Sequence, residues 1–84
     1  MERYEAGMLA KSKAGHDKDK IYVIIDTDET YVYLSDGVLK KIENPKKKKK
    51  KHVQPICKSH DLTGIDNVGI KRILTVYDKE MRGE

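Results

Sequence analysis

The sequence predicts a mainly β protein, a small antiparallel barrel with a C-terminal α-helix packed on it. Up to about residue 60, short runs of β-branched, aromatic and aliphatic residues alternate with clusters of glycine, aspartate, asparagine and proline. This is the pattern of short strands joined by tight turns. From residue 66 the apolar residues recur instead at the spacing of an amphipathic helix. Because 84 residues suffice for one domain with a modest core, we expect the barrel (residues 1–60) and the helical part (residues 61–84) to form a single domain.

Two strands are predicted in the first third of the chain. GMLAKSK, residues 7–13, gives the first, and the turn-forming residues 14–17 follow it. IYVIID, residues 21–26, is β-branched and aromatic with apolar residues on both faces, as in a central strand of a tightly curled sheet. We therefore expect the chain to reverse direction between these two strands.

A hairpin is predicted next. After a polar turn, YVYLSDG at residues 31–37 alternates tyrosine with aliphatic residues before it reaches Asp36-Gly37. The dipeptide Asp-Gly is a strong signal for a tight hairpin turn. VLKKI, residues 38–42, is therefore the strand that we expect to pair with residues 31–35.

Six consecutive lysines, Lys46–Lys51, follow this hairpin. Asn44-Pro45 in front of them breaks the ladder, because proline has no backbone N–H to donate. HVQPI, residues 52–56, comes after them and is the last predicted strand. The barrel should thus hold the lysines at both ends, whether they form part of a strand or a loop.

The last third of the chain predicts a helix over residues 66–80. Asp66 is a suitable N-cap, and Gly83 lies near the expected end. Four apolar residues at i, i+3, i+4 and i+7 form a stripe that should pack on the barrel: Ile70, Ile73, Leu74 and Tyr77. The residues expected to face solvent are Lys71, Arg72, Asp78 and Lys79.

Positive charge is concentrated in the lysine run. The chain has 18 lysines and arginines against 14 aspartates and glutamates, a formal charge of +4 and a pI near 9.1. Without the six lysines, 12 basic residues would stand against the 14 acidic ones, so the rest of the chain is nearly neutral. Six adjacent lysines repel one another, and this repulsion lowers the stability of the fold unless a partner neutralises the charge. We therefore expect an anionic partner, with a flexible solvated loop as the alternative.

Membrane insertion and secretion are not indicated. No apolar run approaches the roughly 18 residues that suggest a membrane span. The N-terminal MERYEAG also lacks a basic region followed by an apolar one, which a secretory leader would have. We expect a cytoplasmic protein that makes no contact with a membrane.

No catalytic or metal site is predicted. Asp26, Asp28 and Glu29 form a carboxylate cluster, but it lies in a turn with no histidine close by in sequence, and no phosphate-binding glycine loop is present. Cys57 and the neighbouring histidines supply too few ligands for a closed zinc site. We expect Cys57 to be a small, partly buried structural residue, and the protein to be a binding module that needs no cofactor.

Residues 5–31, EAGMLAKSKAGHDKDKIYVIIDTDETY, resemble the KOW motif of ribosomal and transcription-elongation proteins. That motif has a short strand, a basic loop with a glycine near its eleventh position, and a second strand of alternating apolar residues. Gly15 stands at that position here. Downstream, YLSDGVLKKIENPKKKKKKHV resembles the second half of bacterial KOW-domain RNA-binding proteins, which are similar to a KOW-containing large-subunit ribosomal protein of archaea and eukaryotes. The resemblance covers about residues 6–56.

The resemblance implies an SH3-like barrel of the KOW type that binds RNA, often ribosomal RNA. It also implies that the loop around Gly15 is one contact surface. The lysine run is a second, since its cations would neutralise phosphates. The residues that we expect to contact RNA are Lys11, Lys13, Gly15, His16, Lys18, Lys20, Lys40, Lys46, Lys47, Lys48, Lys49, Lys50, Lys51 and His52.

Two roles are open for a pair of tyrosines in the predicted hairpin. Tyr31 and Tyr33 share one face of their strand and would stack on unpaired bases if exposed. Packing at the edge of the core or against the helix is the favoured interpretation.

The protein as a whole is expected to be a monomer that binds ribosomal RNA, with ribosomal proteins as further candidate partners. The alternative is a protein-interaction module that docks on a translation or transcription factor through its tyrosine face or its terminal helix.

Overall fold

The computed structural model describes residues 3–83, except for the side chains of Cys57 and Lys58. In this part of the chain the strands are β1 (Met8–Ser12), β2 (Ile21–Thr27), β3 (Tyr31–Ser35), β4 (Lys46–Lys49) and β5 (Val53–Ser59). They form one antiparallel, curled sheet in the order β4-β3-β2-β1-β5. A single 3-10 turn (Lys50–His52) joins β4 to β5, and the helix α1 (Asn67–Met81) follows the sheet. The predicted class, mainly β with a C-terminal helix, is confirmed, and the sheet curls into a half-barrel.

The concave face of the sheet encloses the first part of the core. Because side chains alternate between the two faces of a strand, every second residue of β1, β2 and β3 points into this interior. The buried residues there come from four strands: Met8, Ala10, Tyr22, Ile24, Val32, Leu34 and Val53. The prediction for Cys57 concerns a side chain outside the described set, so it stays a prediction.

The helix covers the opposite, convex face of the sheet. Leu9, Val23 and Ile70 are buried between them, and the rest of the predicted helical stripe packs around these residues. Asp66 is the N-cap, as predicted, and its carboxylate accepts a hydrogen bond from the backbone N–H of Gly69 at 2.8 Å. No helix within residues 3–83 combines the length and the apolar character needed to cross a membrane.

The predicted strand VLKKI, residues 38–42, is wrong. Asp36 is buried, and its carboxylate accepts hydrogen bonds from the backbone N–H groups of Val38 and Lys40 at 2.9 and 2.8 Å. The Ser35 hydroxyl donates to the carbonyl of Lys40 at 2.7 Å. These side chains hold the segment in a tight loop, because they take the backbone groups that a strand would need. The strand that pairs with β3 is β4, which consists of lysines.

Candidate nucleic-acid interface

The first four lysines of the run form the edge strand β4. Their pairing with β3 is Leu34↔Lys46, Val32↔Lys48, Tyr33↔Lys47 and Tyr31↔Lys49. Since residues paired across two strands share a face, Lys46 and Lys48 lie on the concave side with the buried aliphatic residues. Lys47 and Lys49 lie on the convex side and are exposed. The alternation therefore divides the run into two sets with different surroundings.

The concave lysines are bound by one carboxylate, that of Asp17. The ammonium group of Lys46 lies 2.7 Å from Oδ2 of Asp17, and that of Lys48 lies 2.7 Å from Oδ1. Lys48 also donates to the Ser12 hydroxyl at 2.6 Å and to the Ala14 carbonyl at 2.8 Å. The side chains of Asp17 and Lys48 are each only 10% exposed, so this is a nearly buried ion pair whose polar groups are satisfied.

Two neutral donors complete the surroundings of Asp17. The hydroxyl groups of Ser12 and Tyr22 donate to it at 2.8 and 2.9 Å. Burial alone would raise the pKa of Asp17, but the hydrogen bonds from Lys46, Lys48 and these two hydroxyls outweigh it and hold the pKa well below its usual range. Burial together with the Asp17 carboxylate raises the pKa of Tyr22. Asp17 therefore stays ionised near neutral pH and ties the first loop to the lysine strand.

The convex lysines Lys47 and Lys49, and Lys51 in the turn that follows, form no such ion pair, although the carboxylate of Asp28 interacts with Lys47 electrostatically over a longer distance. The ammonium group of Lys47 lies over the ring of Tyr31, 4.2 Å from its centroid, a favourable cation–π contact. Lys49 and Lys51 are exposed. Within the described part of the chain, no carboxylate forms an ion pair with Lys47, Lys49 or Lys51. These three cations are consequently available to an external anion.

Lys50 and His52 belong to the 3-10 turn, with Lys51 between them. The ammonium group of Lys50 lies 5.5 Å from the centroid of the Tyr4 ring, and the hydroxyl of Tyr4 donates to the carbonyl of Lys50 at 3.0 Å. His52 is half-buried, and its carbonyl accepts the backbone N–H of Lys13 at 2.8 Å. This turn therefore connects the lysine strand to the first loop.

The Gly15 loop presents fewer free cations than the sequence alone indicates. Gly15 has φ +87°, a left-handed conformation that favours glycine. Lys20 binds the buried carboxylate of Asp36 at 2.7 Å, and Lys11 lies 3.6 Å from Asp19 in an exposed, weak pair. Outside the lysine run, the predicted contact side chains that are exposed and without an ion pair among the described residues are Lys13, His16 and Lys18 of this loop and Lys40 of the loop after β3.

Tyr33 differs from Tyr31 in its surroundings. Its hydroxyl donates to Oδ2 of Asp28 at 2.8 Å, and this hydrogen bond raises the pKa of Tyr33. Its ring lines a groove of about 430 Å³ on the convex side. Nothing in the sequence pattern indicated this groove, which depends on residues from β2, β3 and the segments around Pro45 and Ile65.

Stability is expected to fall at acidic pH because of Asp36. Burial alone would raise the pKa of Asp36, but hydrogen bonds from Lys20 and from the backbone N–H groups of Val38 and Lys40 lower it from 3.8 to about 2. The carboxylate therefore contributes up to roughly 2 kcal/mol of stability that is present above pH 4. As the pH falls toward 2, this contribution is lost.

Urea unfolding at a series of pH values from 7 to 2 would measure this loss, with Asp36→Asn as the comparison. The variant should be less stable at pH 7 and should show a smaller decrease between pH 4 and 2. If the two proteins lose equal amounts of unfolding free energy over that interval, Asp36 does not carry the effect.

The comparisons with known proteins add no relative. No protein-family model matches the sequence, and no curated protein matches it at a significant level. The function is therefore inferred from the geometry of β4 and its surroundings.

Proposed function

We propose that the protein binds RNA through the convex side of β4 and the turn that follows it. The observation that carries this proposal is the division of the lysine run: Asp17 neutralises Lys46 and Lys48, whereas Lys47, Lys49 and Lys51 are exposed and form no ion pair with a carboxylate of the described residues. An edge strand with two unpaired cations on one side, Lys47 and Lys49, followed by Lys51 in the adjoining turn, is a suitable surface for a phosphate backbone. Each lysine that contacts a phosphate releases counterions and adds salt-dependent affinity.

The fold and the charge pattern together favour a rigid binding surface. The backbone of β4 is fixed by its pairing with β3, so Lys47 and Lys49 present their side chains from defined positions. A rigid surface loses less conformational entropy on binding than a flexible lysine tail would. The exposed loop residues Lys13 and Lys18 are candidates for additional phosphate contacts.

More specifically, we propose that the protein is an SH3-like barrel of the KOW type that binds ribosomal RNA. Five short antiparallel strands in one curled sheet support the SH3-like type, and the KOW-like pattern of the first hairpin supports the family. That family makes ribosomal RNA the first candidate among RNAs, with a role in ribosome assembly or translation. Sequencing of RNA crosslinked to the protein in cells would test this, since a predominance of messenger RNA would contradict it.

Neutralising Lys47 and Lys49 is expected to weaken RNA binding. The double substitution Lys47→Gln and Lys49→Gln removes two phosphate contacts, so the slope of log K against log salt should become shallower by about 1.4 for single-stranded RNA. At low salt the affinity should fall on the order of 10- to 50-fold. Fluorescence anisotropy with a labelled oligoribonucleotide at several salt concentrations would measure both quantities.

The matched control removes the same charge elsewhere. Lys71 and Lys79 are exposed on α1, and Lys71→Gln with Lys79→Gln should leave the salt slope nearly unchanged. Equal losses in both double variants would indicate binding through net charge rather than through β4. An unchanged affinity after the Lys47 and Lys49 substitutions would refute the proposed surface.

A second candidate function is protein binding through the outer side of α1. Val68 is 64% exposed and Val76 is 49% exposed, and both line a shallow cavity of about 350 Å³ together with Lys71, Arg72 and Lys79. Apolar side chains ringed by cations fit an acidic, partly apolar segment of another protein. A complex of this kind should survive nuclease treatment and be lost in Val76→Glu, whereas an RNA-mediated complex should be lost on nuclease treatment.

A further inference from the structure

The groove beside β4 combines an apolar surface with an aromatic ring and a carboxylate. Its volume is about 430 Å³, within the range of pockets that hold small ligands. It is lined by Ile25, Asp26, Tyr33, Ile42, Pro45, Leu62, Gly64 and Ile65. A planar heterocycle in this groove would stack its face on the aromatic ring and donate a hydrogen bond from its polar edge to the carboxylate.

Three side chains of different chemistry form one row across the sheet. The register pairs Asp26 of β2 with Tyr33 of β3, and Tyr33 with Lys47 of β4. Neighbouring strands are about 4.8 Å apart, so the backbones of Asp26 and Lys47 flank that of Tyr33 on its two sides, and the ammonium group of Lys47 reaches over the neighbouring ring of Tyr31. The row lies on the convex side of the sheet, where the free lysines are.

A β-bulge gives Asp26 its place in this row. The register shifts between Ile24 and Asp26, so that Ile25 is an extra residue without a partner on β3. Ile25 packs against the helix-side core, and Asp26, the next residue, lines the same groove instead of pointing to the concave side. Bulges commonly redirect a side chain in this way next to binding sites.

The groove residues are held in position before any ligand arrives. The hydrogen bond from the Tyr33 hydroxyl to Asp28 at 2.8 Å fixes one end of the ring. Asp28 is fixed in turn by the backbone N–H groups of Thr30 and Tyr31 at 2.9 and 2.7 Å. Oδ1 of Asp26 accepts the N–H of Thr27 at 2.8 Å, and among the described residues no donor binds its Oδ2. That oxygen is free to accept from a ligand.

We propose that this groove binds one unpaired base of single-stranded RNA, with a preference for guanine. This rests on the proposed function, and it names the class of RNA that the surface selects. The base stacks on Tyr33, its edge donates to Asp26, and the adjoining phosphate binds Lys47. Guanine presents two neighbouring N–H donors, one for the free Oδ2 and one for Oδ1, which keeps a second lone pair beside its bond from Thr27. Uracil presents one N–H between two carbonyl groups that repel a carboxylate.

Single-stranded RNA is required by this geometry. A base inside a duplex is stacked on both faces and its Watson–Crick edge is paired, so it reaches neither Tyr33 nor Asp26. Lys47 and Lys49 are two residues apart in a strand, a separation of roughly 7 Å. Adjacent phosphates of an extended single strand have a similar separation.

The test compares labelled seven-nucleotide oligouridines that carry G or U at the central position, together with a hairpin duplex that contains the same G. The wild-type protein should bind the G oligomer several-fold more tightly than the U oligomer, and the hairpin most weakly. Asp26→Ala should reduce the preference for G to less than twofold. Tyr33→Leu should weaken binding of the G oligomer about tenfold, and Tyr33→Phe, which keeps the ring but loses the hydrogen bond to Asp28, should weaken it less than Tyr33→Leu does.

The variants separate the groove from the lysine surface. If Lys47→Gln with Lys49→Gln weakens binding as expected while Tyr33→Leu and Asp26→Ala have no effect, RNA binding stands and the groove proposal falls. Tighter binding of the hairpin than of the single strand would also overturn it. If the wild-type protein binds none of the three oligonucleotides, both proposals fail. Unfolding midpoints of all variants, measured in the same buffer, verify that each one is folded.

Discussion

Replacing Asp17 with alanine is expected to lower the free energy of unfolding by about 3–5 kcal/mol, the usual cost of removing one partner from a buried ion pair. The carboxylate of Asp17 accepts from two lysines and two hydroxyl groups, and its side chain and that of Lys48 are nearly buried. Without it, the ammonium group of Lys48 stays in a poorly solvated place with no counter-charge. A domain of this size has a total stability of roughly 4–13 kcal/mol, so the expected loss is a large part of it.

Asp19→Ala is the matched control in the same loop. Asp19 carries the same charge, but its ion pair with Lys11 is long, at 3.6 Å, and both side chains are well exposed. Exposed pairs of this kind contribute about 0–1 kcal/mol. Chemical denaturation of both variants at pH 7 would measure the difference. A loss below about 1 kcal/mol for Asp17→Ala would show that water, not Asp17, solvates Lys48.

A second substitution distinguishes lost charge from lost packing. If the uncompensated charge of Lys48 causes the instability, Asp17→Ala combined with Lys48→Met should be more stable than Asp17→Ala alone, since the buried ammonium group is gone. Lys48→Met by itself should cost less than Asp17→Ala, because Asp17 keeps Lys46 and both hydroxyl donors. Additive losses in the double variant would contradict the ion-pair explanation.

The contacts of Asp17 show that the six lysines do not all serve the same purpose. In the sequence, the six lysines look like one electrostatic feature. Because side chains alternate between the two faces of β4, however, its lysines have different roles. Lys46 and Lys48 stabilise the fold through Asp17, and Lys47 and Lys49 are left for an external anion. Lysines on an edge strand also discourage pairing with the edge of another sheet. Part of the charge therefore stabilises the protein on its own, and only the remainder needs a partner.

Local patterns in the sequence were sufficient for most of the fold. The strand at residues 21–26 and the strand at residues 31–35 follow from their β-branched and alternating residues, and the observed bounds differ from the predicted ones by one residue or less. The helix follows from its apolar stripe and from Asp66, whose capping role is confirmed. In each case the decisive information lies within a few neighbouring residues.

The remaining features depend on contacts between distant residues. VLKKI has the composition of a strand, but the carboxylate of Asp36 takes its backbone N–H groups and leaves Val38 and Leu39 exposed. The lysines become a strand because β3 needs a partner, which no β-propensity of lysine would indicate. The pairing of Asp17 with Lys48 joins residues 31 positions apart. The bulge at Ile25, which exposes Asp26 to the groove, has no signature in a run of apolar residues.

Replacing Gly37 with alanine is expected to cost roughly 3 kcal/mol or more, since it combines backbone strain with a steric clash. Gly37 has φ +76°, a conformation that residues with a Cβ adopt at a cost of about 1–2 kcal/mol. A Cβ there would also overlap the carbonyl oxygen of Asn67 and lie 3.0 Å from the backbone nitrogen of Lys71. Both atoms belong to the first turns of α1, so neither can move unless the helix does.

Gly64→Ala is the control that separates strain from clash. Gly64 has a similar φ of +67°, but a Cβ added there meets no atom within 4 Å. It should therefore lose only about 1–2 kcal/mol. Thermal or urea unfolding of the two variants gives the difference, and equal losses would mean that the helix start yields to the added methyl group.

Gly37→Ala should affect the RNA surface as well as stability. Asn67 accepts the backbone N–H of Ile42 at 2.8 Å and donates to Glu43 at 2.9 and 3.0 Å, so a shift of α1 would displace Ile42 and Ile65 from the groove wall. In a variant that remains folded, Gly37→Ala should thus reduce the preference for guanine while the salt slope set by Lys47 and Lys49 stays unchanged. A loss of the salt dependence together with the base preference would indicate instead that the β4 surface and the groove are not separable parts of the site.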